Sequence, residues 1–281
     1  MDSERIYLYL LNNLPGISNK KIAEMYRASG SFCEAYRRDK KDYLELGIFS
    51  GKGRSYGYDD RLKKEGRLMA QYEELGKRGI RLCCFWDNDY PRRLRGLPDA
   101  PMLLYVRGEL PREDRPSVAI IGGRRCSGYG SYAAGLFAEA LSDKGVSIIS
   151  GMAEGIDSAA LRACLRRGHK AYAVLGSGVS YCYPAGSFDI YEAMCEGEGG
   201  VISESPPGAG PDPWRFVSRN RIIAGLCDAL IVAEARKRSG TAITVEHALA
   251  YGREVYAVPH RICDALGEGS NGLIKDGAQI I

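Results

Sequence analysis

Arginines and aromatic residues occur close together in the segment PDPWRFVSRNRIIAGL. Three arginines fall within eight residues of this segment, together with Asn220, Trp214 and Phe216. Guanidinium groups form forked, charge-assisted hydrogen bonds with phosphates, and an aromatic face stacks on any nucleobase. The pattern favours contact between this segment and a single nucleic-acid strand. The alternative is that the aromatic residues anchor the loop in the core while the arginines pair with acidic residues.

Glycine-rich turns follow several short apolar segments. The first turn, GGRRCSGYG, offers close backbone approach at Gly122 and Gly123, a cation at Arg124 and a hydroxyl at Ser127. Three other turns share this character: SGMAEGIDSAA, GSG with Ser177 and Gly178, and the SGT turn with Ser239, Gly240 and Thr241. Backbone amides at such turns, and at the starts of the helices that follow them, bind anions. The sequence therefore predicts a row of phosphate-accepting turns.

The segments that position these turns alternate between strands and helices after about residue 100. Strands are predicted at MLLYV, SVAIIG, VSIIS, AYAVLG, GVISE, ALIVAE and EVYAVP. Helices are predicted from Tyr129 to about Lys144, Ile156 to Arg167, about Asp189 to Glu196, about Phe216 to Leu226, and Thr241 to Tyr251. Near-continuous apolar strands separated by helices indicate a mainly parallel sheet covered on both faces. We predict a doubly wound, Rossmann-like α/β fold whose carboxyl edge carries the glycine turns.

The beginning of the chain has a different pattern. Residues 1–75 show helical periodicity, many tyrosines and charges, and no strand alternation. We predict a small all-helical domain there and a Rossmann-like domain over residues 76–281. Within the first, LNNLPGISNKKIAEMY has the order of a helix-hairpin-helix, whose turn amides can contact a DNA phosphate. A single hairpin of this kind is more often structural, so both interpretations stay open.

Composition narrows the classes of function. The net charge of +4 is too modest to indicate a nucleic-acid partner by itself, so the local basic clusters carry that argument. No apolar run approaches the roughly 18 residues of a membrane span, and the first residues lack a secretory signal pattern, so we expect a cytoplasmic protein. The nine cysteines are scattered and are expected to be reduced thiols. We expect none of His169, His247 and His260 to lie near a second potential ligand, so no metal site is expected.

Ordinary nucleotide enzymes are not indicated. The spacing of GGRRCSGYG differs from GxGxxG, and the phosphate-binding pattern GxxxxGK[ST] does not occur in the sequence. No nucleophile with an adjacent base is apparent either. We therefore predict a binding protein that uses no cofactor.

The ordered motifs together resemble the DNA-processing protein A (DprA/Smf) family. The resemblance runs from DYPRRLRGLPDAPMLLYVRG through the glycine turns, CYPAG, VISESPPG, FVSRNRIIAGL and GREVYAVPH to GSNGLIKDGA. It implies sequence-independent binding of single-stranded DNA, protection of incoming strands and loading of the RecA recombinase in natural transformation. It also implies a homodimer and a sterile-alpha-motif-like first domain. Many relatives end in a winged-helix domain, which we do not expect here because the sequence stops after GLIKDGAQII.

The resemblance also assigns residues. It places Gly122, Gly123 and Arg124 on the family's phosphate-gripping turn. It also implies that Phe216, Arg219, Asn220 and Arg221 contact the DNA strand and a base. The Ser177 and SGT turns are implied to line the same groove. This sequence departs from the family pattern at four positions: Gly123 for serine, Val217 for proline, Leu161 for histidine and His260 for glycine. The first departure removes one hydroxyl from the expected grip while leaving the amides and Arg124.

The competing interpretation is a hydrolase. The related fold includes nucleotide phosphoribohydrolases resembling the lonely-guy proteins, whose PGGxGTxxE signature supplies a catalytic glutamate. KRSGTAITVE keeps Gly240 and Thr241, but Glu246 stands five residues after the threonine instead of three. Two extra helical positions rotate a carboxylate by about 200°, which directs it away from the site.

Overall fold

The computed structural model of the chain describes residues 2–49 and 56–281. Residues 1 and 50–55 of the predicted helical domain lie outside them. The described chain divides into two compact units. The first contains the residues up to Tyr90 together with Pro98–Leu104, and the second contains Pro91–Leu97 and Tyr105–Ile281.

The first unit is mainly helical, as the periodicity predicts. Its elements are α1 (Asp2–Asn12), α2 (Asn19–Ser29), α3 (Phe32–Arg37), α4 (Lys40–Glu45), α5 (Tyr56–Asp59), α6 (Arg61–Glu74) and the short strand β1 (Arg81–Cys84). The Pro-Gly turn joins α1 to α2, where the Ser18 hydroxyl accepts a hydrogen bond from the Lys21 amide at 3.4 Å.

Tyrosines form much of the core of this unit. Tyr36, Tyr43 and Tyr58 are fully buried. The Tyr58 hydroxyl donates to the Ala35 carbonyl at 2.7 Å, and the Tyr43 and Tyr58 rings meet edge to face at 5.7 Å. Burial raises the pKa of Tyr36 to about 12, so its hydroxyl stays protonated at neutral pH. The buried tyrosines of the first unit therefore have a structural role.

The second unit alternates strands and helices. Its elements are α7 (Arg92–Arg95), β2 (Leu103–Gly108, which begins in the first unit), β3 (Ser117–Gly122), α8 (Gly128–Ser142), β4 (Ser147–Ser150), α9 (Ile156–Arg166), β5 (Ala171–Val174), α10 (Phe188–Cys195), β6 (Gly199–Ser203), α11 (Pro213–Leu226), β7 (Ala229–Glu234), α12 (Thr241–Ala250), β8 (Glu254–Ala257), α13 (Glu268–Lys275) and β9 (Gln279–Ile280). The predicted strands and helices are confirmed. Helix α11 starts earlier than predicted because Pro213 fits the first helical position, where no amide hydrogen is needed.

The sheet of this unit has the doubly wound order β2-β6-β5-β4-β3-β7-β8-β9. Its pairs are parallel, apart from β2 and β6, which run antiparallel. All residues of β4, β5 and β6 are buried, which explains why these strands are apolar or small throughout. The winding reverses between β3 and β7, and in such sheets this reversal opens a crevice at the carboxyl edge.

At the opposite edge, an ion pair connects α7 to the start of β7. Arg93 donates from Nε and Nη2 to the two carboxylate oxygens of Asp228 at 2.7 and 2.9 Å. The Ser117 amide donates to the same carboxylate at 2.8 Å. Partial burial would raise the pKa of Asp228, but the Arg93 and Ser117 hydrogen bonds outweigh it and lower that pKa below its ordinary value.

We expect Asp228→Asn to reduce the free energy of unfolding by about 1–2 kcal/mol at neutral pH, because charge-assisted bonds are lost at a half-exposed position. Because the pKa of Asp228 is lowered in the folded state, the ionised carboxylate stabilises the fold at pH values above the unfolded-state pKa of about 3.9. This stabilisation is lost as the pH falls through the folded-state pKa. The difference between wild type and variant should therefore shrink in acid. Urea unfolding of wild type and Asp228→Asn at neutral pH and in acid measures this difference in unfolding free energy. Asp276→Asn, at an exposed position, is the control. A difference that stays constant at all pH values would contradict a stabilising role of the Asp228 carboxylate.

Candidate nucleic-acid interface

A cleft of about 530 Å³ lies at the reversal point of the sheet. Its walls come from the turn after β3, the first turns of α11 and the start of α12. The predicted residues that line it are Gly122, Gly123, Arg124, Phe216, Arg219, Asn220, Ser239, Gly240 and Thr241. The fold therefore brings together segments that are separated by about a hundred residues in the sequence.

The first glycine turn is closely packed. A Cβ on Gly122 would stand 2.5 Å from the Ile156 side chain and 2.6 Å from the Glu234 carbonyl oxygen, so this position accommodates only glycine. The Gly123 amide donates to the same carbonyl at 2.7 Å. The glycine turn predicts amides that are available to a ligand, but the amide of Gly123 is bonded within the fold. The side chains of Arg124 and Arg125 in this turn are exposed to solvent.

Ser127 caps helix α8 and does not line the cleft. Its hydroxyl accepts from the Gly130 amide at 3.0 Å and donates to the buried Glu234 carboxylate at 2.5 Å, while its own amide donates to Glu234 at 2.7 Å. Glu234 ends β7 and thereby holds the turn after β3. The sequence offered no signal for this role, because a glutamate at a strand end is ordinarily exposed.

Arg124 and Phe216 form an exposed cation-aromatic pair at the cleft. The guanidinium carbon of Arg124 lies 5.5 Å from the centre of the Phe216 ring. In residues 2–49 and 56–281, no carboxylate lies within ion-pair distance of this guanidinium. Phe216 is half-buried, and Tyr183 tilts against it at 5.5 Å. Trp214 beside it is 62% exposed, so neither aromatic residue is an anchor in the core.

Arg219 lies beneath the floor of the cleft. Its Nη1 donates to the carbonyl of Gly151 at 2.7 Å and to that of Val174, at the ends of β4 and β5. A Cβ on Gly151 would stand 2.6 Å from this nitrogen, which explains the glycine there. Burial lowers the pKa of Arg219 to about 10, and the charge of nearby Asp157 acts in the opposite direction. Arg219 is still charged at neutral pH, and its buried charge is little screened by salt.

Three other predicted residues lie away from the cleft. Arg221 is buried against Glu204, and their charged groups form an ion pair. The buried Ser177 hydroxyl donates to the Tyr181 carbonyl at 3.1 Å. The Gly178 amide donates to the Ala209 carbonyl at 2.9 Å, and a Cβ on Gly178 would stand 2.0 Å from the Pro206 carbonyl oxygen. Ser177 and Gly178 support the loop between β5 and α10, whereas Arg221 connects α11 to the end of β6.

The SGT turn opens helix α12 at the rim of the cleft. Within the described chain, no side chain caps the amides at this helix start. Nothing lies within 4 Å of a Cβ built on Gly240, so the turn is open to a ligand. Uncapped helix amides together with the helix dipole attract anions.

Sequence reasoning missed further residues of the cleft, namely Arg125, Arg236 and Tyr183. The two arginines belong to the GGRR and RKR clusters, so the basic clusters were the available signal. Tyr183 comes from the loop after β5, and only the folded chain brings it to Phe216. The expectation that no histidine lies beside a second potential ligand is wrong at His260, whose Nδ1 is 3.7 Å from carboxylate oxygens of both Glu234 and Asp264.

The hydrolase interpretation depends on Glu246. This residue is exposed on α12 and is not among the residues that line the cleft, whereas Thr241, Ile243 and Thr244 of the same helix are.

The described helices are too short or too polar to cross a membrane.

The fold and the cleft define a Rossmann-like α/β protein with a basic, aromatic-bearing carboxyl edge. A family model described as DNA recombination-mediator protein A matches residues 81–281. Among curated proteins, DNA processing protein DprA of Streptococcus pneumoniae is 42% identical over 195 residues, which cover 69% of this chain and 68% of the relative. Protein Smf of Escherichia coli is 39% identical over 192 residues, which cover 68% of this chain and 51% of Smf. The chain belongs to the DNA recombination-mediator protein A family, as the motifs predicted.

Solved structures agree with this assignment. The X-ray structure of DNA processing protein A from Streptococcus pneumoniae matches with a TM-score of 0.80 and 32% identity, covering 100% of this chain and 95% of that one. DNA processing protein A from Helicobacter pylori, described for its unique single-stranded DNA binding mode, matches with a TM-score of 0.65 and 27% identity over 72% of this chain and 90% of that one. The match to Smf spans about half of that protein's length.

Proposed function

We propose that the chain binds single-stranded DNA without sequence preference in the cleft at the carboxyl edge of its sheet. The observation that carries the proposal is Arg124, an exposed cation without a carboxylate partner in the described chain, held over the Phe216 ring. Such a pair offers a phosphate contact and a stacking surface side by side. The single-stranded DNA binding mode described for the Helicobacter pylori protein supports the same ligand here.

The cleft suggests a division of contacts. Phosphates would lie along Arg124, Arg125 and Arg236 and the open amides of the SGT turn, while Arg219 adds positive potential from below. A base would stack on Phe216. Bases in a duplex cover each other's faces, so this surface favours an unpaired strand.

We propose that the cellular role is the one that the family resemblance implies. The protein would protect incoming single strands and load the RecA recombinase in natural transformation, acting in the cytoplasm as a homodimer and without catalysing a reaction. The matching family model, a recombination mediator, supports this role.

Fluorescence anisotropy with labelled oligo-dT tests the proposal. We expect the affinity to fall with salt, by about 0.7 log units per log unit of salt for each phosphate neutralised. Duplex of the same length should bind more weakly, and oligo-dA should bind about as well as oligo-dT. Tighter binding to duplex, or an affinity that salt does not change, would refute the assignment. Incubation with AMP should release no adenine, whereas the hydrolase alternative requires release.

A homodimer is a separate expectation. It rests on the family resemblance, because singly exposed apolar residues such as Ile262 and Leu249 also occur on monomers. Light scattering at micromolar concentration should give about twice the chain mass of 30.8 kDa. A mass equal to one chain would contradict the homodimer while leaving the DNA contact untouched.

A further inference from the structure

Three potential metal ligands converge behind the turn after β3. Glu234 ends β7, and His260 and Asp264 lie between β8 and α13. His260 Nδ1 is 3.7 Å from Glu234 Oε1 and 3.7 Å from Asp264 Oδ2, and the three ligand atoms lie within 4.8 Å of one another. The His260 side chain is completely buried, and its Nδ1 has no hydrogen-bond partner.

The other ring nitrogen settles which tautomer His260 adopts. Nε2 lies 2.9 Å from the Ala233 carbonyl oxygen, and a carbonyl can only accept a hydrogen bond. Nε2 therefore carries a proton, and a neutral His260 presents the Nδ1 lone pair to the two carboxylates. Three electron-rich atoms facing one another in a largely buried space are unfavourable without a positive charge between them, which either a proton or a metal ion can supply.

The surroundings hold these ligands in place. Glu234 is oriented by Ser127, and the edge of the His260 ring meets Tyr129 at 88°. A Cβ on Gly267 would stand 2.1 Å from His260 Cγ, so the ring is fixed against that glycine. A histidine that donates one N–H to a backbone carbonyl while its other nitrogen faces acidic oxygens is the usual arrangement around a bound metal. Asp264 is 30% exposed and gives solvent access to the cluster.

We propose that His260 Nδ1, Glu234 Oε1 and Asp264 Oδ2 bind one divalent first-row transition metal ion, with water completing its coordination. Bonds of about 2.0–2.2 Å in tetrahedral geometry separate ligand atoms by roughly 3.3–3.5 Å. The two distances from His260 Nδ1 would therefore shorten by a few tenths of an ångström, and the two carboxylate oxygens, which lie within 4.8 Å of each other, would approach by up to roughly 1.5 Å. A mixed set of one imidazole and two carboxylates suits Mn²⁺ or Zn²⁺. The ion would fix Glu234 and, through Ser127, the turn that carries Arg124.

Mn²⁺ is the probe for the test, because nine cysteines would add binding sites for Zn²⁺. Titration of the full-length, metal-stripped protein without DNA is followed by the electron paramagnetic resonance signal of free Mn²⁺. We expect one Mn²⁺ per chain and a higher melting temperature in its presence. The result is independent of DNA binding, so its failure would leave the proposed function standing.

Two variants and a matched control complete the design. His260→Gln and Asp264→Asn should each weaken Mn²⁺ binding by about 10- to 100-fold or more, the scale known for disturbed metal sites. His247→Gln removes a histidine of α12 that lies outside the cluster and should leave binding unchanged. Circular dichroism establishes that the variants are folded. If one of them is unfolded, the other variant and the number of Mn²⁺ ions bound per wild-type chain still test the proposal. No bound Mn²⁺ at millimolar concentration, or equal binding by wild type and both variants, would overturn the proposal.

Discussion

Replacing Arg124 with alanine is expected to weaken binding of oligo-dT by about 10- to 100-fold, because one charge-assisted phosphate contact contributes roughly 1.5–3 kcal/mol. The substitution should also remove the cation that lies over the Phe216 ring. The slope of log affinity against log salt should become shallower by about 0.7, since one fewer phosphate is neutralised. Anisotropy titrations at several salt concentrations measure both effects.

Two control variants separate this contact from general electrostatics. Arg166→Ala makes the same change of net charge at an exposed position on α9, where the side chain approaches Glu139 at 3.5 Å, and should leave the affinity nearly unchanged. Arg124→Lys keeps the charge but loses the forked geometry, so it should fall between wild type and alanine. Equal affinities for wild type and Arg124→Ala would remove the main support for the proposed function.

The second large effect is expected from Gly155→Ala, at the start of α9. Gly155 has φ of +81° and ψ of −124°, a backbone conformation that residues with a side chain rarely adopt. Its added Cβ would also stand 2.4 Å from the Gly123 carbonyl oxygen and 2.5 Å from that of Arg124. We expect a loss of about 3 kcal/mol or more in unfolding free energy, from strain and the displaced backbone together. Binding of oligo-dT should fall at least as far as in Arg124→Ala, because the turn itself moves.

Gly128→Ala is the matched control for that variant. It lies in the first turn of α8, near the same site, and its added Cβ meets nothing within 4 Å. This substitution should leave both stability and affinity within about 1 kcal/mol of wild type. Urea unfolding and anisotropy on the three proteins give the comparison. A Gly155→Ala protein as stable and as active as wild type would show that the first two glycine turns do not depend on each other.

The sheet and its order of elements could be predicted because the signals are local. Each strand is a short apolar run bounded by turn residues, and each helix begins beside a recognisable turn. The sequence patterns predict neither helices α7 and α13 nor strands β1 and β9. The segment EGSNGLIK contains two glycines, which are poor helix formers, so its helical state depends on tertiary packing. Strand β9 has two residues, which is too short for any periodicity.

Whether an individual arginine of the basic clusters is exposed, buried or paired could not be predicted in the same way. Arg124, Arg219 and Arg221 all belong to basic clusters, yet the first is exposed, the second lies under the floor and the third is paired with Glu204. Burial is decided by which strand ends face each residue, and that information is distributed over the whole sheet. The Glu234 and His260 contact likewise joins the ends of two strands that are adjacent only in the folded sheet.

The Arg219 guanidinium has a consequence for biosynthesis. It bonds carbonyls at the ends of β4 and β5, which are made well before α11 leaves the ribosome. Until α11 is synthesised, those carbonyls lack the Arg219 guanidinium and the nascent polypeptide lacks the Phe216 ring. Under the proposed function, the nascent chain would complete its strand-binding surface only after α11 and then the start of α12, the last wall of the cleft, have been made.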